Sequence, residues 1–513
     1  MNSFFGINIG VRALTASQVA LNTASHNISN ASTTGYSRQV VSQKASQALK
    51  TGDGSGMVGT GVSITSIIQI RNVFLDYRYW DQNSNYGEWS AKSGTLSTME
   101  AVMNASSDNG LADTLNSFIS SLEELATDPG GESARSSVTA QGESFCKYLN
   151  NMAGTLQDLL DDCNNSIKSK VDEINSYAKQ ICALNQQIYK AELDGSTAND
   201  LRDQRTVLVD KLSAIADIEV SEVSAGILSN GKADLRFCIT INGTNLVNHF
   251  ETNELECYKV SDGSESDGTY AVRWAGTGND VTFSGGEIKG YIDLCTGTGA
   301  GGEYKGIPYY MNQLDTFART LAKAFNEGIY SDGESYCSGH AGGVGSDDST
   351  GTRFFTYDGI SSAELMESGS DMDSIYANIT AANISLSSDV ANDVDKIAAA
   401  SVSGEAENSD NLSGLLEIFE DSGVFANGTP EDNINSILTT LGVAVSYSTQ
   451  MESSGKNVLD HIDDNRTSVS GVSTEEEAAN LVIYQQAYNA AAKVISVMDE
   501  VLDVTINSLG ANW

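Results

Sequence analysis

The stretch Leu156–Lys190, LQDLLDDCNNSIKSKVDEINSYAKQICALNQQIYK, carries its apolar side chains in a three-four alternation. Leu156, Leu160, Cys163, Ile167, Ile174, Tyr177, Ile181, Leu184 and Ile188 share one stripe, and Lys170 is its one polar member. That period marks an amphipathic helix with a narrow coiled-coil seam. Unbroken from about Phe145 to Tyr189, it would be roughly 65 Å long at about 1.5 Å per residue, a length suited to a rod-shaped bundle. Cys163 reads as a small buried hydrophobe on that seam.

Outward from this centre, both chain ends repeat the pattern. Phe4, Ile7, Val11, Leu14, Leu21 and Ile28 keep the alternation, broken by Gln18 and Ser25, and the helix is expected to end in the Asn/Ser/Thr/Gly cluster of Asn27 to Gly35. A glycine-rich connector follows (Gly52, Gly54, Gly56, Gly59, Gly61), and then Val62, Ile64, Ile67, Ile68 and Ile70 suggest extended structure. Near the other end Ser473 and Thr474 precede Glu476 and Glu477 as two overlapping capping boxes. Behind them Leu481, Tyr484, Tyr488, Ala491, Ile495, Met498, Leu502 and Leu509 form a stripe interrupted by Thr505. A single seam has nothing to bury against until it meets a partner. The bland alternative is that the two terminal helices pack on each other within one chain. The expectation here adds contacts with neighbouring copies as the bulk of their burial.

Between the ends, residues 86–215 stay helical. From Ile218 to Leu294 short runs such as Leu235–Gly243 and Tyr270–Trp274 alternate with Gly, Asn, Asp and Ser turns, which is all-β patterning. Helix returns at Ile307, Tyr310, Leu314, Phe317, Leu321 and Phe325, and again from Leu412 to His461. The expected fold is mixed and multidomain: coiled-coil-like terminal helices, a long α-helical bundle rod, and a β-rich outer domain inserted in the middle of the chain. The expected units are 1–75 (axial helix and extended segment), 76–215 (first part of the rod), 216–300 (β-rich outer domain), 301–330 (returning rod helix), 331–405 (irregular outer insert), 406–465 (last part of the rod) and 466–513 (C-terminal axial helix). A chain that leaves and returns through the same layers suits a radial fibre subunit, with both termini near the axis.

Composition narrows the functional classes. Lys plus Arg is 29 and Asp plus Glu is 68, a net charge of −39, so the surface repels nucleic acid and anionic membranes. The seven cysteines (Cys146, Cys163, Cys182, Cys238, Cys257, Cys295, Cys337) are odd in number and widely spaced without a CxxC pair, which reads as free thiols. His26, His249, His340 and His461 have no metal-ligand spacing, and no GxSxG or GxxxxGK[ST] motif occurs. Asp262 to Gly268 has the wrong glycine position for a calcium loop and reads as a turn. No enzyme, cofactor or metal is expected. The start MNSFFGINIGVRALTASQ lacks the regions of a secretory signal, and no apolar run spans a membrane.

Several blocks resemble a known family. Asn27-Ile28-Ser29-Asn30-Ala31-Ser32-Thr33-Thr34-Gly35-Tyr36 resembles the N-x-A-N-x-x-T-x-G-[YF] block of flagellar rod, hook and hook-associated proteins, with Ser29 in place of the commoner Ala. Ser25-His26, Ser37-Arg38-Gln39, Val171–Asn175, Ala183–Ile188, Asn199–Arg205 (an N-D-L-x-D-Q-R motif), Ser284–Glu287, Phe354-Phe355, Gly471–Leu481 and Tyr484–Tyr488 are similar to the hook–filament junction branch of that family, in family order.

The resemblance implies a structural subunit that joins hook to filament in the extracellular flagellum. Its partners would be further copies of itself in a ring, the hook protein, the second junction protein next to the filament, an export chaperone and the type III export apparatus, through which it leaves without a cleaved signal peptide. By the same resemblance Leu481, Tyr484, Tyr488, Ile495 and Leu502 would bind the chaperone. The axial interface is expected on Phe4, Ile7, Val11, Leu14, Leu21, Ile28, Leu481, Tyr484, Tyr488, Ile495, Met498, Leu502 and Leu509. In the loop of Asn27, Asn30, Thr33, Gly35 and Tyr36, the asparagines would cap the helix end and Gly35 would supply a positive φ. The alternatives are a hook or distal-rod subunit, against which the helical middle speaks, and an adhesin carried on a flagellar scaffold.

Overall fold

Helix α1 (Phe4–Ser29) runs as far as its apolar period predicts and stops where Asn30, Thr33 and Gly35 introduce turn chemistry. This computed structural model describes residues 4–50, 56–103, 110–227, 233–261, 268–330, 332–405 and 407–508. Gly52, Gly54, Leu509 and most of the Asp262–Gly268 turn lie outside the described residues, as does the side chain of Phe4. After α1, strands β1 (Gln39–Ala45) and β4 (Val62–Gln69) pair antiparallel, with the ribbon β2 (Leu49–Lys50) and β3 (Met57–Val58) between them.

The rod is built from α2 (Val73–Met103), α3 (Leu111–Thr127), α4 (Glu132–Glu192) and α5 (Asn199–Ile215) on the outward path. α4 has 61 residues, about 92 Å at about 1.5 Å each, so the long helix starts well before Phe145. Six strands follow: β5 (Glu219–Ile227), β6 (Ala233–Ile241), β7 (Thr244–Asn248) and β8 (Glu251–Thr252) in one antiparallel sheet, then the pair β9 (Leu255–Lys259) and β10 (Tyr270–Trp274). The chain returns through α6 (Glu287–Thr296) and α7 (Ile307–Glu327). Residues 287–296 were expected with the strands but form a rod helix, because Ile288, Leu294 and Cys295 sit at helical spacing and are buried. Gly286, at φ +86°, makes the turn possible. A Cβ there would lie 2.3 Å from the Ile215 carbonyl oxygen, so only hydrogen fits.

Residues 331–405, expected to be irregular and outer, carry short elements that reach the core: α8 (Gly339–Gly342), β11 (Phe355–Tyr357), α9 (Ser362–Glu367), α10 (Met372–Tyr376), β12 (Ile384–Leu386) and α11 (Ser388–Asn392). Phe354 and Phe355 meet Phe118 of α3 and Phe325 of α7, with ring centroids 5.3–5.8 Å apart. Fully buried Asn326 pins them. Its amide donates to the Phe355 carbonyl at 2.6 Å, and its oxygen accepts from the N–H groups of Phe354 and Phe355 at 2.8 and 3.0 Å. The segment's many Gly, Ser and Asp residues hide this, since a few well-placed aromatics decide its packing. α12 (Asp410–Glu420) and α13 (Pro430–Ser470) complete the rod. α13 runs antiparallel to α2, with Trp89 against Tyr447 at 5.4 Å and Ser93 Oγ 3.2 Å from Thr449 Oγ1. A short link leads to α14 (Thr474–Asp503), continued by one looser turn, Val504–Ser508.

The β body is fastened to α4 by three asparagines about three turns apart. Asn164 Oδ1 accepts from Tyr270 N–H at 3.1 Å, Asn175 exchanges two hydrogen bonds with the Leu255 backbone, and the Asn185 amide donates to the His249 carbonyl. Each satisfies strand-edge groups that would otherwise be buried without a partner.

Buried His340 holds the 340s loop to the chain at Ala398. Its Nδ1–H donates to the Thr352 carbonyl at 2.7 Å and its Nε2 accepts from the Ala398 N–H at 3.0 Å. Burial pushes its pKa from 6.5 down to about 4, so the folded state holds the neutral ring. The stability this gives is complete above pH 6.5 and is lost as pH falls through about 4, a window corresponding to about 3 kcal/mol. Urea melts between pH 7 and 4 should show that loss in the parent protein and a flatter profile in His340→Gln. Parallel profiles would exclude His340 as the acid-sensitive group.

Candidate functional site at the joined termini

α1 and α14 lie antiparallel, so the two chain ends form one helical hairpin. The close side of α1 is lined by small residues. Gly10, Ala16, Ala20, Thr23, Ala24 and Asn27 are the buried positions of α1, which packs on β1 and β4 as well as α14, and Cβ atoms built at Gly6 and Gly10 would fall 2.8 and 2.7 Å from Met498 and Ile495. The expected stripe of α1 only flanks this contact. Ile7, Leu14, Leu21 and Ile28 are half-buried, and Val11 is 46% exposed. On α14 the expected stripe turns toward α1: Leu502 and Ala491 are buried, while Leu481, Tyr484, Tyr488, Ile495 and Met498 are half-buried. Much of what the period predicts as an intermolecular seam is thus already covered within the chain, because glycines and alanines let the backbones approach closely.

A second apolar seam on α14 runs beside the expected one. Ile483, Ala487, Ala490, Val494, Val497, Val501 and Val504 recur at steps of four and three, and all are exposed, the larger ones by 44–60%. The signal was in the sequence. Alanines and valines simply carry less weight than the Leu/Tyr/Ile/Met line beside it.

The hairpin is held to the rod by a polar node made from the loop motif. Asn27 is buried. Its amide donates to the Gln39 carbonyl and its oxygen accepts from the Gln39 N–H, both at 2.9 Å, and from the Tyr36 hydroxyl at 2.8 Å. Asn27 is therefore a clamp on β1 and not the expected cap. Asn30 makes the local bonds, donating to the His26 carbonyl and accepting from Thr33. Gly35 takes φ +76° as expected, and a Cβ there would sit 2.1 Å from Val207 Cγ2 of α5. His26 Nδ1 lies 2.9 Å from the Tyr36 hydroxyl, whose proton is held tightly by burial and the charges of Asp200 and Asp203.

The residues after the motif reach across the chain. Ser37 donates from N–H and Oγ to Asp203 of α5 at 2.9 and 2.8 Å, and Gln39 donates to Asp200 at 2.6 Å. Arg38 joins three elements. Its N–H donates to the Ser470 carbonyl ending α13, its carbonyl accepts from Ile70 after β4, and its guanidinium meets Glu477 at 2.8 Å and Glu476 at 3.2 Å on α14. The two expected capping boxes do not form as such. Ser473 caps the N–H of Glu476, while both carboxylates turn to Arg38. Beneath lies a second layer, with Arg71 on Asp76 and Asp203, and Arg466 on Asp210, which also accepts from Trp80 Nε1. Asp203 is pushed upward by burial, and Ser37 and Arg71 work against that. Clefts of about 630 and 720 Å³ flank the loop. Among the described residues no His/Cys/Asp/Glu group could hold a metal ion. The arrangement is mechanical: every charged member of the node has a partner, and the bonds tie four distant segments together.

Comparison with known proteins places these features. Residues 96–355 match the model described as flagellar hook-associated protein FlgK helical domain, residues 465–509 that of the flagellar basal body rod FlgEFG protein C-terminal, and residues 7–36 that of the flagella basal body rod protein. The chain is 32% identical to flagellar hook-associated protein 1 of Bacillus subtilis (strain 168), with 99% of each chain covered. It is 24% identical to the protein of the same name from Escherichia coli (strain K12), covering 98% of this chain and 99% of that one. Among solved structures, the flagellar hook junction protein FlgK from Burkholderia pseudomallei shares the fold, with a TM-score of 0.58 and 13% identity over 77% of this chain and all of that one.

The node yields a test on the isolated protein. Glu477→Gln removes one charge from a pair whose carboxylate is only 4% exposed, so amide exchange in α1 and the first turns of α14 should accelerate roughly tenfold to a hundredfold. The core of α4 should keep its protection. Gly35→Ala should cost about 2 kcal/mol or more in urea unfolding through its strained φ and the Val207 clash. Unchanged exchange in the first variant would show that the hairpin is held elsewhere.

Proposed function

The chain belongs to the flagellar hook-associated protein 1 family, and from that premise we propose that its terminal hairpin builds the axial core of a short polymer of identical copies. As a member of that family it is a structural protein of the bacterial flagellum that serves at the hook–filament junction. The rest is inference from physical chemistry. One observation carries it, the exposed heptad line Ile483–Val504 on α14. An apolar line at a/d spacing, left open on a hairpin whose other side is largely covered, is stabilised by burial against another helix, each valine contributing about 1–2 kcal/mol. The occupant proposed is the hairpin of a second copy, with the hook protein below and the second junction protein above closing the ends of the ring.

The half-buried line Leu481, Tyr484, Tyr488, Ile495 and Leu502 has a different role in this proposal. It is sealed by α1 once the hairpin forms and is open before that. An export chaperone that takes these residues competes with α1, and so keeps the chain unassembled until it enters the type III export apparatus. Chaperone binding and hairpin formation are then mutually exclusive, whereas the Ile483–Val504 line serves the assembled state. In the flagellum the net charge of −39 surrounds the apolar axis with an acidic coat that resists nonspecific aggregation.

The double variant Val497→Asp/Val501→Asp separates the two lines. Both positions are exposed, so its monomer should melt within a few degrees of the parent. Addition to isolated hooks should fall roughly a hundredfold or more, and cells should shed filament protein while keeping hooks. Leu502→Asp should in addition loosen the hairpin and weaken chaperone binding. A double variant that caps hooks as well as the parent would remove the Ile483–Val504 line from the interface.

A further inference from the structure

None of the seven cysteines belongs to the axial site, yet two of those in the rod core are placed as a pair. All seven are free thiols. Cys146 and Cys182 are buried at separate points of α4, and Cys238, Cys257 and Cys337 are partly exposed. Cys163 of α4 and Cys295 of α6 instead meet where these helices pack, 3% and 0% exposed. Cys163 Sγ lies 4.0 Å from Thr95 Oγ1 of α2, and Cys295 Sγ lies 4.0 Å from the carbonyl of Leu160, one turn before Cys163. Leu160 precedes Cys163 by about one turn of α4, so the Cys295 sulfur rests on the same short stretch of that helix that carries Cys163. Interaction between the two thiols lowers the pKa of Cys163, and together with burial it raises that of Cys295.

We propose that Cys163 and Cys295 are a disulfide-forming pair that staples α6 to the long helix when the chain meets an oxidising medium containing a low-molecular-weight disulfide. The Cys163 thiolate attacks one sulfur of the small disulfide. The S–S bond of the reagent breaks, and the departing thiolate takes up a proton. Cys295, deprotonated in turn, attacks the Cys163 sulfur of the mixed disulfide. The protein S–S bond forms, and the second small thiolate leaves and is protonated. Two protein thiols are oxidised and one small disulfide is reduced to two thiols. The staple closes a loop that contains α5 and all six strands of the β body, so it restrains the unfolded chain and locks the base of that body to the rod. Because both sulfurs are shielded, the rate is set by opening of α6, while the specificity is set by their being neighbours.

The test reads thiol chemistry and is independent of assembly on hooks. Full-length folded protein is incubated with glutathione disulfide, free thiols are blocked with N-ethylmaleimide in denaturant, and unreduced tryptic peptides are mapped. Cleavage isolates Cys163 in residues 148–168 and Cys295 in residues 290–305. The expected result is a dominant cross-link between these two peptides and a melting temperature higher by roughly a few degrees, reversed by a phosphine reductant. Cys163→Ser and Cys295→Ser should each abolish both effects. The parent's peptide map stands alone if either variant fails to fold. Cross-links spread over the other cysteines, reaction of Cys238, Cys257 and Cys337 without a 163–295 link, or an oxidised form no more stable than the reduced one would overturn the proposal.

Discussion

Asn27, two residues before the end of α1, offers a single amide that replaces both missing ladder bonds of Gln39 and also receives the Tyr36 hydroxyl. Around it, Arg38 ties the ends of α13 and β4 by its backbone and α14 by its guanidinium, and Ser37 grips Asp203 of α5. Burying so many polar groups is costly unless each is satisfied, and here satisfaction requires segments from both ends and the middle of the chain at once. The direction of the terminal hairpin relative to the rod depends on this node, as does the closeness of the two chain ends. A neutral loop of the same length would join the elements without orienting them.

With the ends held there, the hydrophobic effect divides the hairpin into an inside and an outside. Glycine and alanine on α1 let α14 approach until Ile495 and Met498 fill the space left by missing side chains. This covers much of one apolar line of α14 and leaves the next exposed, so the folded subunit carries an open apolar edge. In a chain of such net negative charge, like-charged surfaces repel at long range, whereas an open apolar edge acts only at short range.

The rod follows a different rule. Its length comes from α4, its lateral body is hung on that helix by asparagines, and its core closes on aromatic rings brought from five separate segments. Among the described residues, polar groups position segments at the node, along the asparagine row on α4, at the Asn326 pin and at buried His340. Apolar groups supply most of the stability and, on α14, an exposed line.

The sequence by itself determined the elements that depend on local period. The long helix, the terminal helices, the strand-rich middle and the return to helix all follow from apolar spacing, which reports a face without needing to know what covers it. Only the tertiary structure decided which face is covered by what. The stronger stripe of α14 turned out to face its own chain and the weaker valine line the outside. Asn27 became a clamp, Glu476 and Glu477 left their capping boxes for Arg38, and Phe354 and Phe355 drew a glycine-rich segment into the core. Each of these outcomes depends on a partner outside the element's own period, from 9 residues away at Asn27 to 439 at Arg38 and Glu477. Periodicity carries no information about such partners, since a buried charge or a short side chain is understood only from what stands opposite it in space.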